Sequence, residues 1–156
     1  MVWRSKLFAV GVVAIGLTVP ALAFQVRPNP TLTPGSLRPD GNEASIVCGY
    51  MKPRTSLPHG LRDKILRSYN LPPGTHPDYE IDHLIPRCLG GSDDDPANLW
   101  PQPRRGIEST WNAEAKDRLE HLICEMVRNQ QLDLATMQKA IAEDWVAVYH
   151  KYYEPH

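Results

Sequence analysis

The sequence predicts an α+β domain in which a small two-stranded antiparallel ribbon is covered by helices. Short apolar segments at residues 79–86 and 98–101 are separated by a polar connection with a Gly-Gly pair and an Asp-rich stretch, as in two strands joined by a long loop. Downstream, apolar residues recur at helical spacing over residues 111–128 and again over residues 133–149. The predicted architecture is therefore a ribbon with additional helices packed on it.

The helix predicted over residues 111–128 has the strongest pattern. Its apolar stripe comprises Trp111, Ala115, Leu119, Leu122, Ile123 and Met126. Thr110 or Ser109 can cap its start, and Asp133 can cap the last helix. The apolar positions of that last helix are Met137, Ile141, Trp145 and Val148. We interpret both stripes as core.

A shorter amphipathic helix is predicted after Pro58. Its apolar positions are Leu61, Ile65, Leu66 and Tyr69. The basic residues around the rest of this helix, which include Arg62, are interpreted as a solvated face, with phosphate contact as the alternative.

Residues 1–23 have the pattern of a secretory signal peptide. A basic start with Arg4 and Lys6 precedes an apolar run, and a small-residue cleavage site ends at Ala23. A transmembrane anchor is the alternative, which the short run and its interruption by Pro20 disfavour. We predict cleavage after Ala23, a periplasmic or extracellular location, and no membrane attachment of the mature chain.

Residues 24–45 are rich in Pro, Gly, Asn and Thr, so we predict an extended linker that buries little, followed by the folded domain over residues 46–156. Removal of residues 1–23 takes away two basic and no acidic side chains, which leaves 15 Lys plus Arg, 18 Asp plus Glu and a net charge of −3. This balance excludes tight non-specific nucleic-acid binding through phosphate attraction alone. Transient contact assisted by a bound cation remains compatible with it.

Three cysteines follow the predicted cleavage site: Cys48, Cys88 and Cys124. Export favours a disulfide, and the odd count leaves one thiol over. Their spacing contains no Cys-x-x-Cys pair of the kind that holds a structural zinc. We predict a Cys48–Cys124 bridge and interpret Cys88 as a small buried or spare thiol.

Asp82 directly precedes His83 in the segment Asp-His-Leu-Ile-Pro, and Asn98 opens the segment Asn-Leu-Trp-Pro, with Leu-Gly-Gly between them. In these motifs and their order the sequence resembles the HNH endonucleases, also called ββα-metal or His-Me finger nucleases, in their secreted bacterial branch. The resemblance is strong over residues 79–120 and looser over residues 45–150. It implies a ββα-metal core within the predicted α+β domain.

The resemblance also implies a chemical role for each motif residue. A divalent metal, Mg²⁺ or Mn²⁺, is expected on Asp82 and on Asn112, which stands where the family carries its last histidine. His83 is then the general base that deprotonates the attacking water. Asn98 is expected to bond backbone across the loop and hold the His-bearing segment. Because adjacent strand residues point to opposite faces, we expect a kink near Pro86 or a strand end to let Asp82 reach the metal beside His83.

Each of these residues also has a structural alternative. Asp82 and His83 can form an ion pair at a strand end, Asn98 can be a turn residue, and Asn112 can be a helix cap. The stretch at residues 93–95 is interpreted as a solvated turn and not a calcium loop. The histidines interpreted as surface residues are His59, His76, His121, His150 and His156. The residues expected to contact substrate phosphate are Arg87, Arg104, Arg105 and Lys116.

The sequence therefore predicts an exported, monomeric, metal-dependent endonuclease that hydrolyses phosphodiester bonds in DNA, with RNA left open, and with little sequence preference. The alternative is a non-catalytic exported module that binds nucleic acid or metal on a degenerate HNH scaffold. The Asp82-His83 pair favours the enzyme. The missing last histidine and the acidic balance favour the module.

Overall fold

The computed structural model describes residues 27–44, 56–74, 77–105 and 110–153, so the predicted signal peptide lies outside the described residues. The described helices and strands are α1 (Leu61–Ser68), β1 (Tyr79–His83), β2 (Leu99–Pro103), α2 (Ala113–Arg128) and α3 (Leu134–Tyr152). Two 3-10 helices, Arg87–Leu89 and Pro96–Asn98, lie in the connection between the strands. The mixed α+β class is thereby confirmed. Within the described ranges, no helix is long and apolar enough to cross a bilayer.

The two strands form an antiparallel ribbon with helices on both faces. Side chains alternate between the faces of a strand, so Ile81 lies on the opposite face from Asp82. On the first face, α1 packs Ile65 and Leu66 against Ile81 and Leu99. On the other face, Asp82 contacts α2 through a lysine side chain. The ribbon therefore presents its two sides to two different helices.

The main core lies between α2 and α3. Its most buried side chains, each no more than 2% exposed, are Leu119, Ile123, Met137, Ile141 and Trp145. Burying one such side chain contributes about 1.5–3 kcal/mol, so the packing of α2 on α3 contributes strongly to the stability of the domain. The predicted stripe of α3 is confirmed, as is its cap by Asp133, which accepts from the Thr136 N–H at 2.8 Å. The predicted stripe of α2 is confirmed in part: Leu122 and Met126 are only partly buried, whereas Cys124 and Val127, which were not predicted, join the core.

Residues 27–44 are not the extended linker that composition indicated. Thr33 is 1% exposed and donates its hydroxyl to the Leu99 carbonyl at 3.0 Å. The Arg38 N–H donates to the Gly90 carbonyl at 3.0 Å. The segment is thus attached largely by polar and backbone hydrogen bonds, which a count of large apolar side chains does not reveal. The predicted domain start at residues 46–50 lies outside the described residues.

A disulfide joins Cys88, in the first 3-10 helix, to Cys124 in α2, with 6.0 Å between their Cα atoms. The predicted Cys48–Cys124 bridge is therefore wrong, and so is the interpretation of Cys88 as a spare thiol. Cys48 lies outside the described residues. The segment that follows β1 packs against α2 in the main core, and the bridge joins the two elements covalently at this contact.

Replacing both Cys88 and Cys124 with serine should lower the free energy of unfolding by about 2–4 kcal/mol, because the bridge restricts the unfolded chain. Equilibrium urea unfolding measures this difference. The matched control is Cys48→Ser, which should leave the unfolding midpoint of the oxidised protein unchanged. A large loss in Cys48→Ser together with none in the double variant would contradict the observed pairing.

Candidate active site

Asn98 holds the chain segment that follows His83. Its side-chain amide donates to the Ile85 carbonyl at 3.0 Å and to the Ser92 carbonyl at 3.1 Å, and its Oδ1 accepts from the Ile85 N–H at 2.9 Å. Asn98 is fully buried at 0% exposed. The backbone bonds implied by the family resemblance are therefore present, and they fix the geometry of the loop that carries Ile85 and Ser92.

The Gly90-Gly91 pair permits this loop to close. Gly90 has a φ of 86°, in the left-handed region, and a Cβ there would overlap the carbonyl oxygen of Gly41. A Cβ on Gly91 would overlap the carbonyl oxygen of Ile85 and crowd the Asn98 amide. A larger residue at Gly91 would therefore disturb the contact between Asn98 and Ile85, and one at Gly90 would push away the backbone of Gly41.

His83 is held as a neutral imidazole. It is 8% exposed, and its Nε2 lies 3.1 Å from the carbonyl oxygen of Asp93. A carbonyl oxygen only accepts, so Nε2 must carry the proton and Nδ1 the lone pair. Burial lowers the pKa of His83 below its ordinary value, although the neighbouring Asp82 charge opposes this. The imidazole can therefore accept a proton at neutral pH.

His83 lines a cavity of about 580 Å³ between the start of α1 and the loop that follows β1. The other residues lining this cavity are Ser56, Leu57, Pro58, His59, Gly60, Arg62, Arg87 and Asp93. Arg87 forms an ion pair with Asp93, and Arg62 donates weakly to the Tyr79 carbonyl at 3.4 Å. The cavity thus combines an imidazole base with two guanidinium groups.

Arg87 is the predicted phosphate contact that lines the cavity with His83. Arg104 lies 3.6 Å from Glu80, and Arg105 lies 3.0 Å from Glu114. Neither arginine lines this cavity.

The predicted phosphate contact at Lys116 does not fit its position, because its side chain is 1% exposed. Its ammonium donates to Asp82 Oδ2 at 2.8 Å, to the His83 carbonyl at 2.6 Å and to Glu120 Oε1. Burial alone would lower the pKa of Lys116, but the charges of Asp82 and Glu120 outweigh it and raise the pKa. Burial raises the pKa of Glu120, and the charge of Lys116 opposes this shift.

Asp82 and His83 do not converge on one point as expected. The Asp82 side chain reaches α2 through Lys116, whereas His83 lines the cavity beside α1. β1 ends at His83, one of the two expected arrangements, but its pairing with β2 stays regular up to that residue, so the two side chains keep opposite faces. Contrary to the prediction, the side chains of Asp82 and His83 therefore do not lie together beside one metal position.

Asn112 is the N-cap of α2. Its Oδ1 accepts from the Ala115 N–H at 3.0 Å, and the residue is 4% exposed. The cap was predicted at Thr110 or Ser109, and the latter lies outside the described residues. Asn112 Oδ1 already bonds a helix N–H and Asp82 Oδ2 already bonds an ammonium, so a metal ion at these two atoms would compete with both contacts. Elsewhere in the described ranges, no group of three His, Cys, Asp or Glu could hold a metal.

Asn112→Ala should lower the free energy of unfolding by about 1 kcal/mol, the usual loss for a helix cap. If the chain cleaves DNA, the response of its cleavage rate to Mg²⁺ should be the same as in the parent. Asp133→Ala removes the corresponding cap of α3 and is the matched control for stability. Urea unfolding and a Mg²⁺ titration of nicking measure the two properties. A Mg²⁺ requirement that shifts in Asn112→Ala but not in Asp133→Ala would restore the ligand role.

The structure brings three further residues to the site that sequence reasoning missed: Glu120, Arg62 and Asp93, the last of which was interpreted as part of a solvated turn. Glu120 was detectable in principle, because it lies four residues after Lys116 on the same helix face. Arg62 was assigned to a solvated face, and its place beside His83 depends on how α1 packs on the ribbon. Searches against protein-family models, curated proteins and solved structures found no match to this chain.

Proposed function

We propose that the protein is an exported endonuclease of the HNH type that hydrolyses phosphodiester bonds in DNA, with RNA as a further substrate to be tested. The observation that carries this proposal is the neutral imidazole of His83 in one cavity with Arg62 and Arg87. Guanidinium groups bind phosphate oxygens in a bidentate manner. A positioned imidazole that is unprotonated at neutral pH can take a proton from water.

In this mechanism the guanidinium groups of Arg62 and Arg87 hold a phosphodiester in the cavity. Nδ1 of His83 takes a proton from a water molecule as the water oxygen attacks phosphorus. The bond from phosphorus to the ester oxygen breaks, and that oxygen leaves with a proton from solvent. The Asp93 carbonyl, which accepts from Nε2, stabilises the imidazolium that forms. Positive charge from the arginines offsets the charge that develops on the phosphoryl oxygens.

Export is part of the proposal. The signal-peptide pattern of residues 1–23 supports it, and so does the Cys88–Cys124 disulfide, since disulfides persist in oxidising compartments. Amino-terminal sequencing of the protein recovered from the periplasm or the medium tests the predicted cleavage after Ala23.

The competing function is a non-catalytic module that binds nucleic acid on the same scaffold. One observation favours it: the carboxylate predicted to bind metal, that of Asp82, is paired with Lys116. A cleavage assay separates the two functions. The mature chain is incubated with supercoiled plasmid and with single-stranded RNA, in Mg²⁺ and in EDTA. Nicking that His83→Ala abolishes supports the enzyme. Binding in a gel-shift assay without cleavage under any condition would support the module.

A further inference from the structure

The ammonium of Lys116 has a complete set of oxygen partners. An ammonium has three N–H donors, and here they meet Asp82 Oδ2 at 2.8 Å, the His83 carbonyl at 2.6 Å and Glu120 Oε1. Two of these oxygens belong to carboxylates and one to the backbone, which are also ligand types that Mg²⁺ and Mn²⁺ use. The three oxygens thus form a cation site, and the cation that occupies it is the ammonium of Lys116.

The helix geometry explains how a lysine comes to fill this place. Lys116 lies one turn beyond the cap residue Asn112, and Glu120 lies one turn further, so all three occupy one face of α2. That face meets β1 at the carboxylate of Asp82. The long aliphatic stem of Lys116 spans the gap between helix and strand, and the side chain remains 1% exposed.

A divalent ion at the same oxygens would have to displace this ammonium or lie beside it. Displacement would leave an ammonium buried without acceptors, which is strongly unfavourable. A position beside it would place two positive charges close together at a buried site, where screening by solvent is weak. The second predicted ligand, Asn112, already bonds the Ala115 N–H through its side-chain oxygen.

We propose that Lys116 is the built-in cation of this site: its ammonium takes the place predicted for a divalent metal, so the protein binds no Mg²⁺ or Mn²⁺ at Asp82. Lys116 is then a positioning residue, which ties the end of β1, and with it His83, to α2. The catalytic consequence rests on the proposed function. If the protein is a nuclease, its cleavage persists in EDTA.

The direct test is Mn²⁺ binding, followed by the loss of the free-ion electron paramagnetic resonance signal when the EDTA-treated and desalted mature protein is titrated. The parent should bind no stoichiometric Mn²⁺. Lys116→Ala leaves the two carboxylates and the His83 carbonyl without their cation, and should gain one Mn²⁺ site. We expect the affinity of Lys116→Ala for Mn²⁺ to exceed that of the parent by about tenfold or more. Single changes around a bound metal commonly alter its affinity by about 10–100-fold. Adding Glu120→Gln to Lys116→Ala should abolish the gained site.

The matched control is Lys139→Ala, which removes an exposed lysine whose side chain is 77% exposed and 3.8 Å from Glu143 in an i,i+4 pair. It should gain no Mn²⁺ site. If Lys116→Ala does not fold, the parent decides the question by itself, through Mn²⁺ binding and through thermal unfolding in EDTA and in saturating Mg²⁺. An unchanged melting temperature and no bound Mn²⁺ support the proposal.

Stoichiometric Mn²⁺ binding by the parent that Asp82→Asn abolishes would overturn the proposal, whether or not the protein cleaves DNA. A folded Lys116→Ala that gains no site would also count against it. Absence of cleavage in every condition is a different outcome: it would remove the proposed nuclease, while the binding titration still decides the role of Lys116.

Discussion

His83→Ala is expected to lower the turnover number for phosphodiester cleavage by about two to four orders of magnitude, the usual contribution of a positioned acid–base group. The reason is that the proposed mechanism makes the Nδ1 lone pair of His83 the proton acceptor, in the cavity that His83 lines. Affinity for DNA should change little, because the guanidinium groups remain. Single-turnover nicking rates and a gel-shift titration measure the two quantities separately.

The pH profile distinguishes a base from a merely structural histidine. Burial, the largest influence, holds the pKa of His83 below its ordinary value. The active neutral form should therefore persist from high pH down past the ordinary histidine range, and the rate should fall only at lower pH. The residual rate of His83→Ala should lack this acid limb.

His121, an exposed residue on α2, supplies the matched control, and His121→Ala should retain both the rate and the profile. Near-normal cleavage by a folded His83→Ala would remove the proposed mechanism. An acid limb that survives in that variant would assign the titration to another group.

The same depressed pKa carries a consequence for stability. Unfolded His83 binds a proton at a higher pH than the folded residue does, so protonation favours the unfolded chain. The contribution of neutral His83 to the free energy of unfolding is fully present above its ordinary pKa of about 6.5. This contribution is lost as the pH falls through the lower pKa of His83 in the folded protein. As the pH falls below the ordinary histidine range, the cleavage rate and the contribution of His83 to the free energy of unfolding should therefore both decrease.

Those features whose cause is local or periodic could be predicted from the sequence. The ribbon was predicted from two short apolar segments separated by turn residues, and α2 and α3 from apolar residues at helical spacing. The hydrogen bonding of Asn98 was predicted through motif resemblance, and Asp133 through ordinary capping chemistry.

The features that depend on how elements meet could not be predicted. Cys88 pairs with Cys124 because the segment after β1 packs on α2, and no spacing rule encodes that contact. Lys116 resembles a surface lysine in sequence, and only the approach of Asp82 and Glu120 makes it an internal cation. The attachment of residues 27–44 rests on hydrogen bonds whose donors and acceptors every sequence possesses.

Asn98→Ala is expected to have the largest effect on stability of any single substitution at the site. It leaves the Ile85 N–H, the Ile85 carbonyl and the Ser92 carbonyl without the amide they now bond. A buried polar group left unpaired costs about 1–3 kcal/mol, and two of these three groups, both of Ile85, are buried, so the free energy of unfolding should fall by about 2–6 kcal/mol. Equilibrium urea unfolding measures this loss. The exposed Asn129, at the end of α2, is the matched control, and Asn129→Ala should change stability by no more than about 0.5 kcal/mol.

The nearly isosteric Asn98→Asp separates hydrogen bonding from packing. One carboxylate oxygen can still accept from the Ile85 N–H, but the other replaces a donor and faces the carbonyl oxygens of Ile85 and Ser92. Repulsion there should make Asn98→Asp unstable although its shape is unchanged. Both variants should also lower the cleavage rate under conditions where they are folded, since the loop that Asn98 closes carries Asp93, the partner of the His83 imidazole. If Asn98→Asp is as stable and as active as the parent, the amide donors of Asn98 do not hold this loop.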